Sequence, residues 1–322
     1  TLSGGLFLLV LALLRGNDAG WGSAQIVAEL AAAAALLAAF IGIERRVAEP
    51  MLPLGLFRRR AFTGVQLAAV GVSASLFALF LYLTLYLQDY LHYSALQAGL
   101  RYLPITLASF VAAPVAGALL GRVQARVLMA IGLAGTGAGL VLMSGLDSAS
   151  SWTALLPGFI IAGLAVGILN PAIADVALSV VPKERSGMAA GVNDTFRQVG
   201  VAVGTAAWGA VFLARGSNRV ATLLAGTPGA TGGRPRQLVE ALTGGHLAAA
   251  TRAIPHGARG LAIAATHQGF LTGLNAILVI GGAIAFLGAA LALWLVREHE
   301  IERDKPVAVA PEGGELVEYL AA

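Results

Sequence analysis

The sequence predicts an all-α integral membrane protein with eight transmembrane helices, and three observations carry that prediction. Of its 322 residues 57% are hydrophobic and only 12% charged, against about 25% charged in soluble domains. Mean hydropathy is +0.80, an excess that a soluble core cannot absorb. Apolar runs of the length needed to cross a hydrocarbon layer of about 30 Å recur along nearly the whole chain. Runs of that length, with every backbone polar group satisfied internally, read as helices.

The first run, Leu2 to Leu14, is too short to cross the bilayer. It lacks a basic flank before it, and Arg15, Asn17 and Asp18 follow it, which departs from the order of a secretory signal. It reads as a spanning helix whose start is truncated. RGNDAGWGS then turns the chain, and a second span runs from about Ile26 to Ile43 with an alanine-rich, helix-favouring middle. These two spans make a first unit, residues 1–43.

Residues 44–61, ERRVAEPMLPLGLFRRRA, interleave five arginines and two prolines with apolar side chains, the composition of a connector lying along the membrane surface. Six further spans fill residues 62–296: about Phe62 to Leu87, Ile105 to Leu120, Val127 to Leu146, Leu155 to Leu178, Gly187 to Leu213 and Gln268 to Val296. Pro171, directly after Asn170, predicts a kink or locally opened helix. Residues 214–267, with TPGATGGRPR at their centre and an amphipathic stretch from Gln237 to Ala250, read as a long exposed loop. The tail, 297–322, has too few apolar residues to pack and is expected to be disordered.

Orientation follows the distribution of Lys and Arg in short loops. If every segment crosses once, the side holding the connector and the tail collects twelve, and the short loops opposite hold Arg15 and Arg101. The connector and the C-terminus are therefore expected in the cytoplasm. Abundant alanine, glycine and arginine with rare lysine suggest a GC-rich bacterial genome, and the compartment expected for a multi-pass protein there is the plasma (inner) membrane.

Several chemistries lack a candidate. There is no cysteine, hence no thiolate metal site or cysteine nucleophile. His92, His246, His256, His267 and His299 show no metal-ligand spacing. No phosphate-cradling loop with Lys-Ser/Thr and no nucleophile elbow occurs. Neither an enzyme, an ATP-driven pump, a metal site nor a nucleic-acid partner is expected.

Four blocks are specific beyond hydropathy: GNDAGWGS with ERRVAEPMLPLGLFRRRAF, YLTLYLQDYLHYSALQAGLRYLP, PVAGALLGRVQAR, and VPKERSGMAAGVNDTFRQVGVAVG. They resemble the major facilitator superfamily, in its fourteen-span drug:proton antiporter branch. The resemblance implies two linker helices followed by the C-terminal six-helix bundle, with an N-terminal six-helix half missing as partner. It also implies export of small molecules by alternating access, with the proton gradient as energy source and no cofactor.

Gly117, Arg122 and Arg126 match a worn copy of the superfamily's loop signature, with Gly121 at its Asp position and Gln124 at its second Gly position. The resemblance implies a cationic cluster that locks one state; an ordinary positive-inside loop reads equally well. From Asn193 to Gly204 the sequence resembles the branch pattern Asn-Thr-any-Arg-Gln-any-Gly, with Asp194 at its usual Asn and Thr195, Arg197, Gln198, Gly200 and Gly204 matching. Asp194 and Arg197 share a helix face and can pair, lowering the cost of charge near the bilayer. Arg197 lies about 15 Å in from Gly187 at 1.5 Å per residue. It then lines a cavity or gate, or is a static pair near the headgroups.

Asn170 and Asp175 flank the expected kink, where an opened helix would face a cavity; for Asp175 a solvated helix-end acid is the simpler reading. Glu29 and Asp89 read as interfacial. Tyr82, Tyr86 and Gln88 could face a substrate route, although interface anchoring explains aromatics equally. Glycines four apart (Gly117/Gly121, Gly163/Gly167, Gly187/Gly191, Gly200/Gly204, Gly269/Gly273) suggest close helix approach.

The leading expectation is proton-coupled export of drugs or other amphipathic molecules through a lipid bilayer. An exporter of lipids, siderophores or another metabolite fits the same fold, and a truncated or split, non-transporting membrane subunit is a reading from another class.

Overall fold

The computed structural model describes residues 1–226 and 234–297. The tail expected to be disordered lies almost entirely outside the described residues, as does the centre of the loop at 227–233. Among the described residues all regular elements are helical, apart from one isolated bridge between Leu120 and Val123. Seven helical segments are long and apolar enough to cross a membrane, and the first apolar helix is shorter.

α1 (Leu2–Ala19) and α2 (Ala24–Glu44) form a hairpin, with the Ser23 side chain accepting from the Ile26 amide to start α2. After a short 3₁₀ turn at Leu54–Arg58 comes a single apolar rod, residues 60–90, built of α3 (Arg60–Val72), a π-turn (Ser73–Phe77), α4 (Ala78–Leu85) and a second π-turn (Tyr86–Tyr90). α5 (Ala95–Arg101) opens with a capping box between Ser94 and Gln97, then α6 (Leu103–Leu119) carries Pro114. α7 (Ala125–Leu142) and α8 (Leu156–Ser179) follow, and Pro171 stays within α8.

The segment 214–267 is more helical than the exposed loop that hydropathy suggests. α9 runs Ser186–Leu223 and α12 runs His256–Leu295, so each extends about ten residues beyond its apolar stretch. Between them lie α10 (Arg234–Thr243) and the short α11 (Leu247–Ala250). α10 buries Leu238, Val239, Ala241 and Leu242 against α9 and α12, which accounts for the amphipathic pattern. Arg215, Asn218 and Arg219 lower the hydropathy without breaking the helix.

α8 packs between α6 and α7, α7 packs on α12, and α12 packs on α9 and α3. α9 also carries the α1–α2 hairpin through α1. The glycine pairs set three of these approaches. A methyl at Gly163 would collide with the Ile105 carbonyl of α6, and one at Gly204 would stand 2.7 Å from the Ala74 carbonyl. Gly167 meets Ser109, Gly200 meets Val70, and Gly269 and Gly273 meet Gly216 and Phe212 of α9. Gly117, Gly121, Gly187 and Gly191 have open space around them, so their spacing is not a packing seam. Gly121 instead turns the chain at φ 92°, in the left-handed region.

The π-turn at 73–77 widens the rod beside α9 and frees a backbone carbonyl. The Trp208 indole of α9 donates to the Ala74 carbonyl at 2.7 Å, and the Ser75 hydroxyl donates back to Gly71 at 2.6 Å. Lower down, the Tyr82 hydroxyl donates to Thr205 at 3.1 Å and the Asn17 amide to Ala206 at 2.8 Å. α1, the rod and α9 are thus pinned to one another by polar contacts inside apolar surroundings.

Candidate functional site

Three elements meet around Arg197. Its two terminal guanidinium nitrogens each donate to Oδ1 of Asn170 at 3.2 Å, linking α9 to α8 one residue before Pro171. The guanidinium carbon lies 5.6 Å from the centre of the Phe77 ring, at the end of the π-turn, within cation–π range. One turn earlier on α9, the buried Asn193 amide donates to Oε1 of Gln66 at 3.2 Å. Gln66 Nε2 and Ser73 Oγ are buried with no hydrogen-bond partner among the described residues.

The expected pairing of Asp194 with Arg197 does not form. Asp194 faces outward and exposed, while Arg197 is half-buried and turned toward α8. The amide oxygen of Asn170, together with the Phe77 face, takes the role that the sequence suggested for the carboxylate. The amide oxygen and the phenyl face are both neutral partners. Charged groups within membrane-spanning segments are costly and concentrate at functional places.

Asn170 has a second face. With Phe77, Phe80, Thr106, Ser109 and Phe110 it lines a cavity of about 410 Å³ between the rod, α6 and α8. That volume lies in the usual range for small-molecule sites. Three phenyl rings offer flat apolar contact, and one amide with two hydroxyls offers hydrogen bonds. Phe110 is 75% exposed, and Leu103, Leu107, Val111 and Val115 of α6 are exposed as well.

The remaining candidates separate from this cluster. Gln198 is exposed, and Asp175 is half-buried toward the end of α8. Tyr86 is fully buried, donates to the Ser150 carbonyl at 3.2 Å and stacks on Tyr90, so it holds the loop that precedes α8. Tyr82 reaches a different cavity, of about 300 Å³, beside Asn17, Thr205 and Glu240. Arg122 is exposed, and Arg126 donates to Gln124 at 2.7 Å; Gly117 and Arg122 touch neither cavity. Glu29 accepts from Arg15 at 3.3 Å across the α1–α2 hairpin.

Gln66 and Ser73 escaped notice in the sequence. Gln66 stands alone among apolar neighbours in RAFTGVQLAAVGV, and a lone amide within a span is itself a signal of a polar contact.

Membrane-length helices joined by a polar seam beside a side-open aromatic cavity make this a multi-pass membrane protein. The chain belongs to the major facilitator superfamily, whose family model matches residues 1–205. It is 29% identical over 304 residues to the tetracenomycin C resistance and export protein of Streptomyces glaucescens, covering 94% of this chain and 56% of that protein. It is 36% identical over 208 residues to the puromycin resistance protein pur8 of Streptomyces alboniger, covering 63% of this chain and 41% of that one. With the multidrug resistance protein Stp of Mycobacterium tuberculosis the identity is 34% over 206 residues, covering 64% and 38%. The chain spans about half the length, or less, of these relatives.

Proposed function

We propose that this chain forms part of a proton-driven exporter of drug-like amphipathic molecules in the bacterial plasma membrane. The observation that carries the reading is Asn170, which lines the aromatic cavity and also holds Arg197. A ligand that donates a hydrogen bond to the Asn170 amide oxygen competes with Arg197 for it. Occupancy of the cavity then changes how α8 and α9 are tied together. A flat apolar body suits Phe77, Phe80 and Phe110, and polar substituents suit Asn170, Thr106 and Ser109. Resistance and export of antibiotics by the relatives support this substrate class.

In this reading the chain supplies the two linker spans and the C-terminal six-helix half of a fourteen-span carrier. The relatives' greater length supports a second half, and the exposed apolar face of α6 is the surface such a half would cover. Rocking of one half against the other would expose the cavity alternately to the two sides. Proton influx as the driving force rests on the family branch. The arginine distribution supports a cytoplasmic connector and C-terminus.

The test is efflux from cells expressing the intact gene, measured for a panel of aromatic antibiotics with and without a protonophore. Export that collapses with the protonophore is expected. Export that persists removes proton coupling, and absence of export for every compound overturns the reading.

A further inference from the structure

A third cavity, of about 600 Å³, lies outside the Arg197 cluster, between the α1–α2 hairpin, the connector and the first half of α9. Leu6, Phe40, Met51, Phe57, Gly191 and Val199 represent its walls. Among its sixteen lining residues Thr195 brings the sole polar side chain, and that hydroxyl is already used, donating to the Gly191 carbonyl at 2.8 Å. With its proton committed the hydroxyl keeps only acceptor capacity, and the otherwise apolar lining suits a hydrocarbon occupant.

Its length and its rim narrow the choice. On α9 the lining runs from Met188 to Val199, about 16 Å at 1.5 Å per residue. That matches one leaflet, half of a hydrocarbon core about 30 Å thick. The connector, residues 44–61, contributes Met51, Leu52, Leu54 and Phe57 to the crevice wall, and the residues flanking these carry five arginines against Glu44 and Glu49. Arg45, Arg46, Arg58 and Arg60 are exposed, and Arg59 anchors the connector by donating to the Val180 carbonyl at 3.0 Å. Clusters of arginine at the membrane surface attract anionic headgroups.

We propose that this crevice is a lipid site: one acyl chain of an anionic phospholipid lies between the α1–α2 hairpin and α9, with its headgroup held by the connector arginines. The lipid mortars the hairpin to the helix that carries Arg197, and the site stands independently of what the protein exports.

The intact protein, reconstituted in phosphatidylcholine vesicles containing phosphatidylglycerol, is released into native mass spectrometry and its retained lipid counted. One phosphatidylglycerol per protein, retained in preference to phosphatidylcholine, is expected. Gly191→Phe should abolish retention, since a side chain there meets nothing within 4 Å and grows into the crevice. Leu6→Trp fills it from the opposite wall and should give the same loss. Arg45→Gln with Arg46→Gln should keep a lipid but lose the headgroup preference. A native chain that retains no lipid or shows no headgroup preference, or crevice-filling variants that still retain phosphatidylglycerol, would overturn the proposal.

Discussion

Arg197 of α9 closes on Asn170 of α8 through two hydrogen bonds of 3.2 Å to a single oxygen, although Asp194 stands only three residues from it on its own helix. A carboxylate pair would fix the arginine within α9. An amide acceptor on the neighbouring helix makes the same charge a link between two helices, and a link that a ligand of the adjoining cavity can contest.

Asn170→Ala removes that acceptor and leaves the guanidinium unsatisfied. Hydrogen bonds to charged groups contribute about 1.5–3 kcal/mol, so the purified protein should lose stability of that order and unfold at a lower temperature. Asn170→Asp restores an acceptor, now charged, and should recover stability. A thermal unfolding series on the three proteins checks it, and an Ala variant as stable as the native chain would show the contact to be idle.

Phe110 should affect selectivity. It lines the aromatic cavity with Phe77 and Phe80. Phe110→Ala is therefore expected to weaken efflux of flat aromatic compounds more than of aliphatic ones. Uniform efflux across both classes would detach Phe110 from the substrate route.

Gly163 and Gly187 have the same composition and opposite surroundings. Gly163 faces the Ile105 carbonyl at a distance that admits no Cβ, whereas Gly187 has open space. Gly163→Val should force α8 from α6 and cost about 1–3 kcal/mol by overpacking. Gly187→Ala should be neutral or slightly stabilising, because alanine favours the helix. Comparable losses at both positions would contradict the packing described.

Hydropathy located the spans well because burial in lipid is decided by composition. It misplaced helix ends, since Arg215 and Arg219 mark where the apolar surface stops while the backbone of α9 continues to Leu223. The π-turn at Ser73–Phe77 left no periodic trace in a run that is apolar on every side. Arg197, Asn170 and Asn193 were legible as polar residues inside spans, and their partners were not. Helical spacing pointed to Asp194, three residues before Arg197, whereas the acceptor lies 27 residues away on another helix. Spacing along one helix constrains which residues share a face, and it carries no information on what the neighbouring helix presents there.

The central claim, that the Arg197 junction belongs to the transport machinery, is tested most directly by substrate accumulation in cells carrying the intact gene with Arg197→Ala or Arg197→Lys, at matched membrane expression. Arg197→Ala is predicted to raise accumulation to the level of cells without the protein. Arg197→Lys, which keeps the charge but loses the two-pronged contact, should fall between. Unchanged efflux by Arg197→Ala at normal expression would contradict the claim.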